Sequence, residues 1–200
     1  SSSAAYPIKL QQKDSYVLLK EDMIDFKTDL GLPDMSYGWA KLTHEYMAKL
    51  AYEKHGVRSV TFRPFSGYAE DQDFAYPFPS ICKRLIENQD AKEIFVWGTG
   101  DQMRDFIHLE DCVDCVLSTM GMIDNGDALN LSTGVLTSFK EFVEIGSKLL
   151  GFSPNVIATT EKPEGVFARG GDVQKQKSFG FNYAIELEEG IMRSLNYLGQ

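Results

Sequence analysis

The chain has 200 residues, of which 43% are hydrophobic and 24% charged, and its net charge at pH 7 is −9. This composition suffices for one sizeable globular core, and no apolar stretch is long enough to cross a membrane, so we expect no membrane partner. The net negative charge also argues against a chain that wraps nucleic acid, because such proteins cluster lysine and arginine against the phosphates.

The first residues of the chain, 1–7, include neither a methionine nor a basic segment. We therefore do not interpret them as a signal peptide, and we expect the chain to be a fragment of a longer protein. Residues 7–34 mix charged and apolar side chains without firm periodicity, which predicts a loop with a short helix. Apolar residues at helical spacing predict a helix over 36–55, which Gly56 terminates.

The rest of the chain alternates between strand and helix patterns. Gly98 to Asp101 is interpreted as a hairpin-like turn, and Ser138 with Glu141 forms a capping-box pattern at the start of a helix. The predicted strands are 59–64, 94–97, 104–108, 128–131 and 156–159, and the further predicted helices are 77–88, 109–120, 138–150, 172–179 and 187–198. This alternation predicts an α/β fold.

The three cysteines are too few, and odd in number, for a disulfide framework. They fit a reducing compartment, and we expect a cytoplasmic protein. Cys112 and Cys115 form a C-x-x-C pair, but no second ligand pair follows at zinc spacing and the pair lies within a helical pattern. We interpret both as small core residues and expect no metal site.

Tyr37 and Lys41 are the central candidates for chemistry. A spacing of four places them on one face of the predicted helix, one turn apart. A lysine ammonium beside a phenol favours the phenolate, and such a phenol can exchange a proton with an alcohol or ketone during hydride transfer. A lone Y-x-x-x-K also occurs in helices as a surface tyrosine beside a surface lysine, so this pattern needs support from other segments.

Several further segments supply that support, and all follow in one order along the chain. They are Ser1-Ser-Ser-Ala-Ala-Tyr-Pro7, Arg63-Pro-Phe-Ser-Gly-Tyr-Ala-Glu-Asp-Gln72, Gly98-Thr-Gly-Asp-Gln-Met-Arg-Asp-Phe-Ile-His-Leu-Glu-Asp111, Asn130-Leu-Ser-Thr-Gly134 and Asp172-Val-Gln-Lys175. Together with Y-x-x-x-K, they resemble the motifs of the extended short-chain dehydrogenases/reductases, the NAD-dependent nucleotide-sugar epimerase and dehydratase family. The resemblance covers nearly the whole chain.

The resemblance implies a role for each matching residue. Tyr37 corresponds to the catalytic acid/base, Lys41 to the residue that assists its ionisation, and Ser2 to the catalytic hydroxyl. Tyr37, Lys41 and Pro64 would contact the cofactor, which is NAD or NADP. Substrate contacts fall to Ser3, the alternate to Ser2, and to Ser66, Arg104 and Arg169, with Arg104 pairing with the diphosphate of a nucleotide sugar.

Three residues of these motifs carry an alternative interpretation or depart from the family's pattern. Arg104 would instead form an ion pair with Asp105 or Asp111 at a strand edge. His108 corresponds to a variable position of the family, and we interpret it as structural. Glu70 occupies a place where the family has proline, which would bring a carboxylate near the diphosphate.

The resemblance also implies the architecture. Residues 1–72 would be the remainder of a Rossmann-like, doubly wound parallel sheet, and residues 73–200 mainly a small C-terminal α/β lobe that binds the nucleotide sugar, with one strand and helix returning to the sheet. No G-x-G-x-x-G follows a strand, so the glycine-rich half that grips a dinucleotide is missing from these 200 residues. The helix of Tyr37, with Trp39, Tyr46 and Leu50, would form a homodimer interface or a core stripe.

The motifs favour 4-epimerisation of a nucleotide sugar through a transient keto-sugar. Reduction of a 4-keto-sugar uses the same residues and is the alternative. Dehydration is disfavoured, because Ser3 and Ala4 replace the acidic pair that the dehydratases carry. Ser66, where the family has asparagine, is a further departure. Because the glycine-rich half is missing, a catalytically silent fragment that binds nucleotide sugar or only dimerises is the remaining hypothesis.

Overall fold

The computed structural model describes residues 1–159 and 165–199, and the chain is α/β, as predicted. The helices are α1 Met35–His55, α2 Pro77–Glu87, α3 Leu109–Thr119, α4 Phe139–Leu149, α5 Gln174–Ser178 and α6 Leu187–Leu198. The strands are β1 Ser59–Pro64, β2 Ser66–Tyr68, β3 Glu93–Trp97, β4 Met103–Arg104, β5 Phe106–His108, β6 Asn125–Leu131, β7 Thr137–Ser138, β8 Asn155–Thr159 and β9 Ala168–Arg169. Three short 3-10 helices, Ser3–Ala5, Ile8–Gln11 and Glu21–Met23, precede α1.

Parallel pairing between distant strands organises the fold. β1 pairs with β6, β2 with β5 and β3 with β8, all in parallel, while β4 lies between antiparallel β7 and parallel β9. Each parallel partner comes from much later in the sequence, with a helix in the connection, as parallel strands require. β6, which follows α3, thus pairs with a strand from the first part of the chain.

The outer edge of β6, away from β1, is closed by side chains. Glu21 accepts a hydrogen bond from the Asn130 amide at 2.9 Å, and Lys175 donates to the Ala128 carbonyl at 2.6 Å. Gln176 satisfies both the amide and the carbonyl of Ser132. Alternate residues of a strand direct their backbone groups to the same edge. Residues 128, 130 and 132 therefore bond on one edge, and the three side chains fill the hydrogen-bonding positions that a neighbouring strand would otherwise occupy.

The apolar residues form three buried clusters. The largest joins α2, α4 and α6 to β3 and to the aromatic rings of Tyr68 and Phe106. A second lies under β6 and α3 and includes Cys115, and a third packs Tyr6, Leu19 and Leu42 beneath the start of α1. The cysteines are all free and buried, as expected for core residues.

Helix α1 begins and ends at residues with positive φ. Met35 has a φ of 53°, which is uncommon for a residue with a side chain, and Gly56 has a φ of 66° at the C-terminal cap. Of the predicted apolar stripe, Trp39 is 47% and Tyr46 44% exposed, and Leu50 is half-buried. The stripe therefore lies on the surface of this chain, and the core interpretation of Trp39 and Tyr46 is wrong.

The prediction of a hairpin at Gly98 to Asp101 is also wrong. β3 and β4 on either side of the turn belong to different sheets. The turn instead meets α4, because Lys140 donates its backbone N–H to the Gly100 carbonyl at 3.0 Å. Among the residues that the structure describes, no helix is long and apolar enough to span a bilayer.

Candidate functional site

One cleft, of about 1030 Å³, gathers most of the residues that the sequence singled out. Seven of the eight predicted site residues line it: Ser2, Ser3, Tyr37, Pro64, Ser66, Arg104 and Arg169. They come from segments that are up to 167 positions apart in the sequence, Ser2 to Arg169. The start of α1, the ends of β1 and β4, and β9 bring them to the same place.

Tyr37 and Lys41 lie one turn apart on α1, as their spacing requires. The Lys41 ammonium is 5.2 Å from the centroid of the Tyr37 ring, within range of a cation–π contact. Tyr37 is 56% exposed, and none of the described residues hydrogen-bonds to its hydroxyl. Lys41 is half-buried outside the cleft-lining set. The phenol is therefore accessible to a ligand, and Lys41 lies next to its ring, outside the cleft.

The two candidate serines differ in their hydrogen bonding. Ser2 caps the short helix Ser3–Ala5, since its hydroxyl oxygen accepts from the Ala4 amide at 3.2 Å. Ser3 is buried at the cleft wall, and its hydroxyl has no hydrogen-bond partner among the residues described. Ser2 can still donate its hydroxyl hydrogen, whereas Ser3 keeps both its donor and its acceptor capacity.

Arg104 is a half-buried cation without a carboxylate partner in the described part of the chain. Its guanidinium donates to the carbonyls of Met103, at 2.7 Å, and Val166, at 3.0 Å. Burial, together with the nearby charge of Arg169, lowers the pKa of Arg104 to about 10. The alternative ion pair with Asp105 or Asp111 is not formed, because other groups occupy both carboxylates.

Arg169, in contrast, is already paired. It donates to Asp34 and, at 2.6 Å, to the side-chain carbonyl of Gln11. Asp34 neutralises the Arg169 charge and its backbone amide also donates to Ala4 at 3.0 Å. Arg169 is thus more constrained than Arg104 as a partner for a ligand anion.

Asp105 organises the floor of the site. Its buried carboxylate accepts hydrogen bonds from Ser132, from the amide and hydroxyl of Thr133, and from the amides of Gly134 and Gly171. Burial raises the pKa of Asp105, and the hydrogen bonds oppose that effect. Because Asp105 follows Arg104 directly, the carboxylate anchors the arginine, and it joins two of the sequence motifs, 98–111 and 130–134, to Gly171.

A second buried network lies under Tyr37 and Lys41. Arg63 and Glu45 are 2% and 3% exposed, and the guanidinium binds the carboxylate through two nitrogens, at 2.6 and 3.0 Å. Arg63 also donates to the Tyr6 hydroxyl at 2.8 Å, and that hydroxyl donates to Asn130 at 2.7 Å. Ser1 donates its hydroxyl to Glu45. The network connects α1, β1 and β6 to residues 1–7 at the start of the chain, which we call the serine segment.

Sequence reasoning missed Glu45, Asp34 and Gly38. The signal for Glu45 was present, because Tyr37, Lys41 and Glu45 follow one another at intervals of four on one helical face. The expectation for Glu70 is wrong: its carboxylate lies 3.4 Å from His108, and the cleft is lined by Asp71 instead. His108 caps α3 by accepting from the Glu110 amide, which agrees with a structural role.

Comparison with known proteins supports the same interpretation. Residues 1–132 match the model of a family described as "NAD dependent epimerase/dehydratase family". The chain belongs to this family. The family comprises NAD(P)-dependent epimerases, dehydratases and reductases of nucleotide sugars.

Individual relatives are distant. A probable GDP-L-fucose synthase 1 of Oryza sativa is 25% identical over 167 residues, which are 80% of this chain and 51% of the relative. The UDP-glucose 4-epimerase of Thermotoga maritima, solved with UDP-glucose, superposes with a TM-score of 0.82 at 21% identity, over 99% of this chain and 62% of that one. A GDP-6-OMe-4-keto-L-xylo-heptose reductase of Campylobacter jejuni gives 0.80 at 23% identity, over 100% and 68%.

The chain spans about half the length of curated relatives such as this GDP-L-fucose synthase. Among the solved structures that share its fold, some contain NAD and others NADPH. At these identities, the likeness to solved structures shows a common fold.

Proposed function

We propose that this chain binds a nucleotide sugar and transfers protons at the sugar as the substrate side of an NAD(P)-dependent 4-epimerase. The observation that carries the proposal is the cleft in which Arg104, a cation without a carboxylate partner among the described residues, shares a wall with Tyr37 and two serines. A diphosphate at Arg104 would place the attached sugar within the same cleft as the phenol. Residues 1–72 would then belong to the cofactor side, and 73–200 mainly to the substrate side.

The diphosphate is the ligand that fits Arg104 best. A guanidinium presents a planar fork of donors that matches phosphate oxygens, and an anion would offset the burial that lowers its pKa. Arg169 lines the same cleft and adds positive charge there, and its ion pair with Asp34 holds the arginine side chain in place. We assign diphosphate binding to Arg104, with Arg169 as a secondary contact.

Proton transfer is assigned to Tyr37. Its exposed hydroxyl removes the proton from a sugar hydroxyl and returns it after the keto-sugar has rotated, which gives the other epimer. The Lys41 ammonium lies 5.2 Å from the centroid of the Tyr37 ring, and we assign Lys41 the role of assisting this tyrosine. The hydroxyls of Ser2 and Ser3 orient the reacting sugar oxygen, and Ser66 borders the sugar site.

The cofactor in this proposal is NAD or NADP, which accepts and returns the hydride. We assign the contacts with its nicotinamide end to Tyr37 and Pro64, which line the cleft at the start of α1 and the end of β1, and to Lys41, one turn after Tyr37. No glycine-rich phosphate loop is encoded in the 200 residues, so we propose that the dinucleotide phosphates are held by another part of the protein. The three free, buried cysteines support a cytoplasmic location.

A 4-keto reductase is the second candidate. The likeness to a 4-keto-heptose reductase favours it, and reduction requires the same tyrosine, lysine and serine. Dehydration is not favoured, because Ser3 and Ala4, two buried residues that line the cleft, carry no acid or base for elimination.

Titration of the 200-residue chain with UDP- and GDP-sugars by calorimetry tests the proposal. We expect binding without NAD, and we expect Arg104→Ala to weaken it about 10- to 100-fold, because a charge-assisted hydrogen bond contributes about 1.5–3 kcal/mol. Arg58→Ala is the matched control, since Arg58 is an exposed arginine whose partner is Asp124. Absence of binding to every nucleotide sugar by the folded chain would refute the proposal.

We also propose that α1 mediates a homodimer. Trp39 and Met47 are exposed on it, at 47% and 58%, two turns apart. Sedimentation velocity of the chain should then show a species of twice the chain mass, and Trp39→Asp combined with Met47→Asp should leave monomer. Leu117→Asp, which changes an exposed apolar residue of α3, should not alter the dimer. A monomeric wild-type chain at high micromolar concentration would exclude this interface.

A further inference from the structure

The residue that follows Tyr37 makes an unusually close backbone contact with the serine segment. A β-carbon added to Gly38 would lie 2.3 Å from the carbonyl oxygen of Ala4 and 3.2 Å from its carbonyl carbon. Gly38 is buried in the first turn of α1, and Ala4 directly follows Ser3. The absence of a side chain at Gly38 is therefore a condition for the observed distance between the two segments.

The surrounding contacts leave the segment little freedom to adjust. The same Ala4 carbonyl accepts from the Asp34 amide at 3.0 Å, and the Asp34 carbonyl accepts from the Gly38 amide at 2.7 Å. On the other side, the buried Tyr6 is fixed through its hydroxyl to Asn130 and Arg63. The serine segment is thus held between the start of α1 and the buried network beneath β1.

We propose that Gly38 is a positioning residue that sets the separation between the Ser2 and Ser3 hydroxyls and the Tyr37 phenol. This proposal rests on the proposed function, in which those groups contact one sugar oxygen. A methyl group at Gly38 would have to move the Ala4 carbonyl by about 1 Å to reach an ordinary contact, and a displacement of that size between reacting groups costs about 100-fold in rate. Arg104, the main diphosphate contact, is held by the carbonyls of Met103 and Val166 and not by Ala4, so it should be affected far less than the sugar contacts.

The test compares two ligands on one variant. For Gly38→Ala, we expect the Kd of the nucleotide sugar to rise about tenfold or more, because its sugar loses correctly placed hydroxyls. The Kd of the matching nucleoside diphosphate, which lacks the sugar, should stay within about twofold of the wild-type value, because Arg104 is unchanged. Gly121→Ala is the control, since a β-carbon there meets no atom within 4 Å.

Nuclear magnetic resonance provides a second measurement, which reports directly on the distance between the serine segment and the start of α1. Nuclear Overhauser contacts between Ala4 and the residues Asp34 and Gly38 should weaken in Gly38→Ala and persist in Gly121→Ala, whether or not a sugar binds. Unchanged contacts, or equal changes in the two dissociation constants, would overturn the proposal. A wild-type chain that binds neither ligand would instead refute the proposed function, while the contacts would still decide the geometry.

A variant without the steric clash covers the case in which Gly38→Ala does not fold. Ala4→Gly loosens the same segment by adding backbone freedom, and it removes a single buried methyl group. We expect the same selective loss of nucleotide-sugar affinity, of smaller size. If Ala4→Gly binds both ligands as the wild type does and keeps the contacts of residue 4 with Asp34 and Gly38, the serine segment needs no such positioning and the proposal fails.

Discussion

Replacement of Glu45 by alanine is expected to lower the free energy of unfolding by about 3–5 kcal/mol. Glu45 and Arg63 are almost completely buried, and the carboxylate is the group that neutralises the guanidinium. Without it, a desolvated positive charge would remain in contact with Tyr6, whose hydroxyl provides no compensating charge. Since small proteins are stable by about 5–15 kcal/mol in total, this loss is a large part of the stability. Chemical denaturation followed by circular dichroism measures it.

Two further variants separate a buried ion pair from a general effect on the helix. Glu53→Ala changes an exposed carboxylate on the same helix and should alter stability by no more than about 0.5 kcal/mol. Glu45→Leu combined with Arg63→Met removes both charges and should recover most of the loss, because apolar replacements of a buried pair are often neutral. If Glu45→Ala unfolds at the same denaturant concentration as Glu53→Ala, the pair does not stabilise the fold.

Replacement of Asp105 by alanine should be about equally damaging, with an expected loss of about 3–5 kcal/mol. The carboxylate receives hydrogen bonds from two hydroxyls and three amides, and all of these donors would be left inside the protein without an acceptor. Asp105→Asn should cost less, about 2–3 kcal/mol, because one oxygen remains while the new amide group faces donors. Denaturation curves of the two variants give both values.

Hydrogen exchange shows whether the loss is located where the structure places it. The amides of Thr133, Gly134 and Gly171 should exchange faster in Asp105→Asn than in the wild type, because their acceptor is the altered group. Asp114→Ala, which removes an exposed carboxylate of α3, is the control. Uniformly faster exchange throughout the core would contradict a local role for Asp105.

Much of the fold followed from local patterns. The long helix α1, its end at Gly56 and the alternation of strands and helices were predicted correctly, because periodicity and caps act over a few residues. The strands β2, β7 and β9 were missed, because segments of two or three residues show no periodicity. Pairing partners also lay beyond local reasoning, and this is why the turn after β3 was mistaken for a hairpin.

The candidate site divides in the same way. Motif order predicted residues that the fold gathers into one cleft, including Tyr37, Arg104 and Ser66. The roles assigned to them stay predictions. Their supports were not foreseen: the partner of Arg63 was identifiable only once α1 and β1 were in contact, and the need for glycine at position 38 depends on a backbone oxygen 34 residues away. Such long-range contacts have no signature in a single sequence.

Because the outer edge of β6 is closed, the sheet of β1 and β6 can accept a further strand on its other side. With Glu21, Lys175 and Gln176 in the hydrogen-bonding positions on that side, a strand arriving there would have to displace three side chains. β1, which pairs with β6 alone among the strands described, presents the opposite edge. An additional strand would therefore pair with β1. The end of β1, at Pro64, lines the cleft. A segment recruited to this sheet would lie next to the cleft that Tyr37 and Arg104 line.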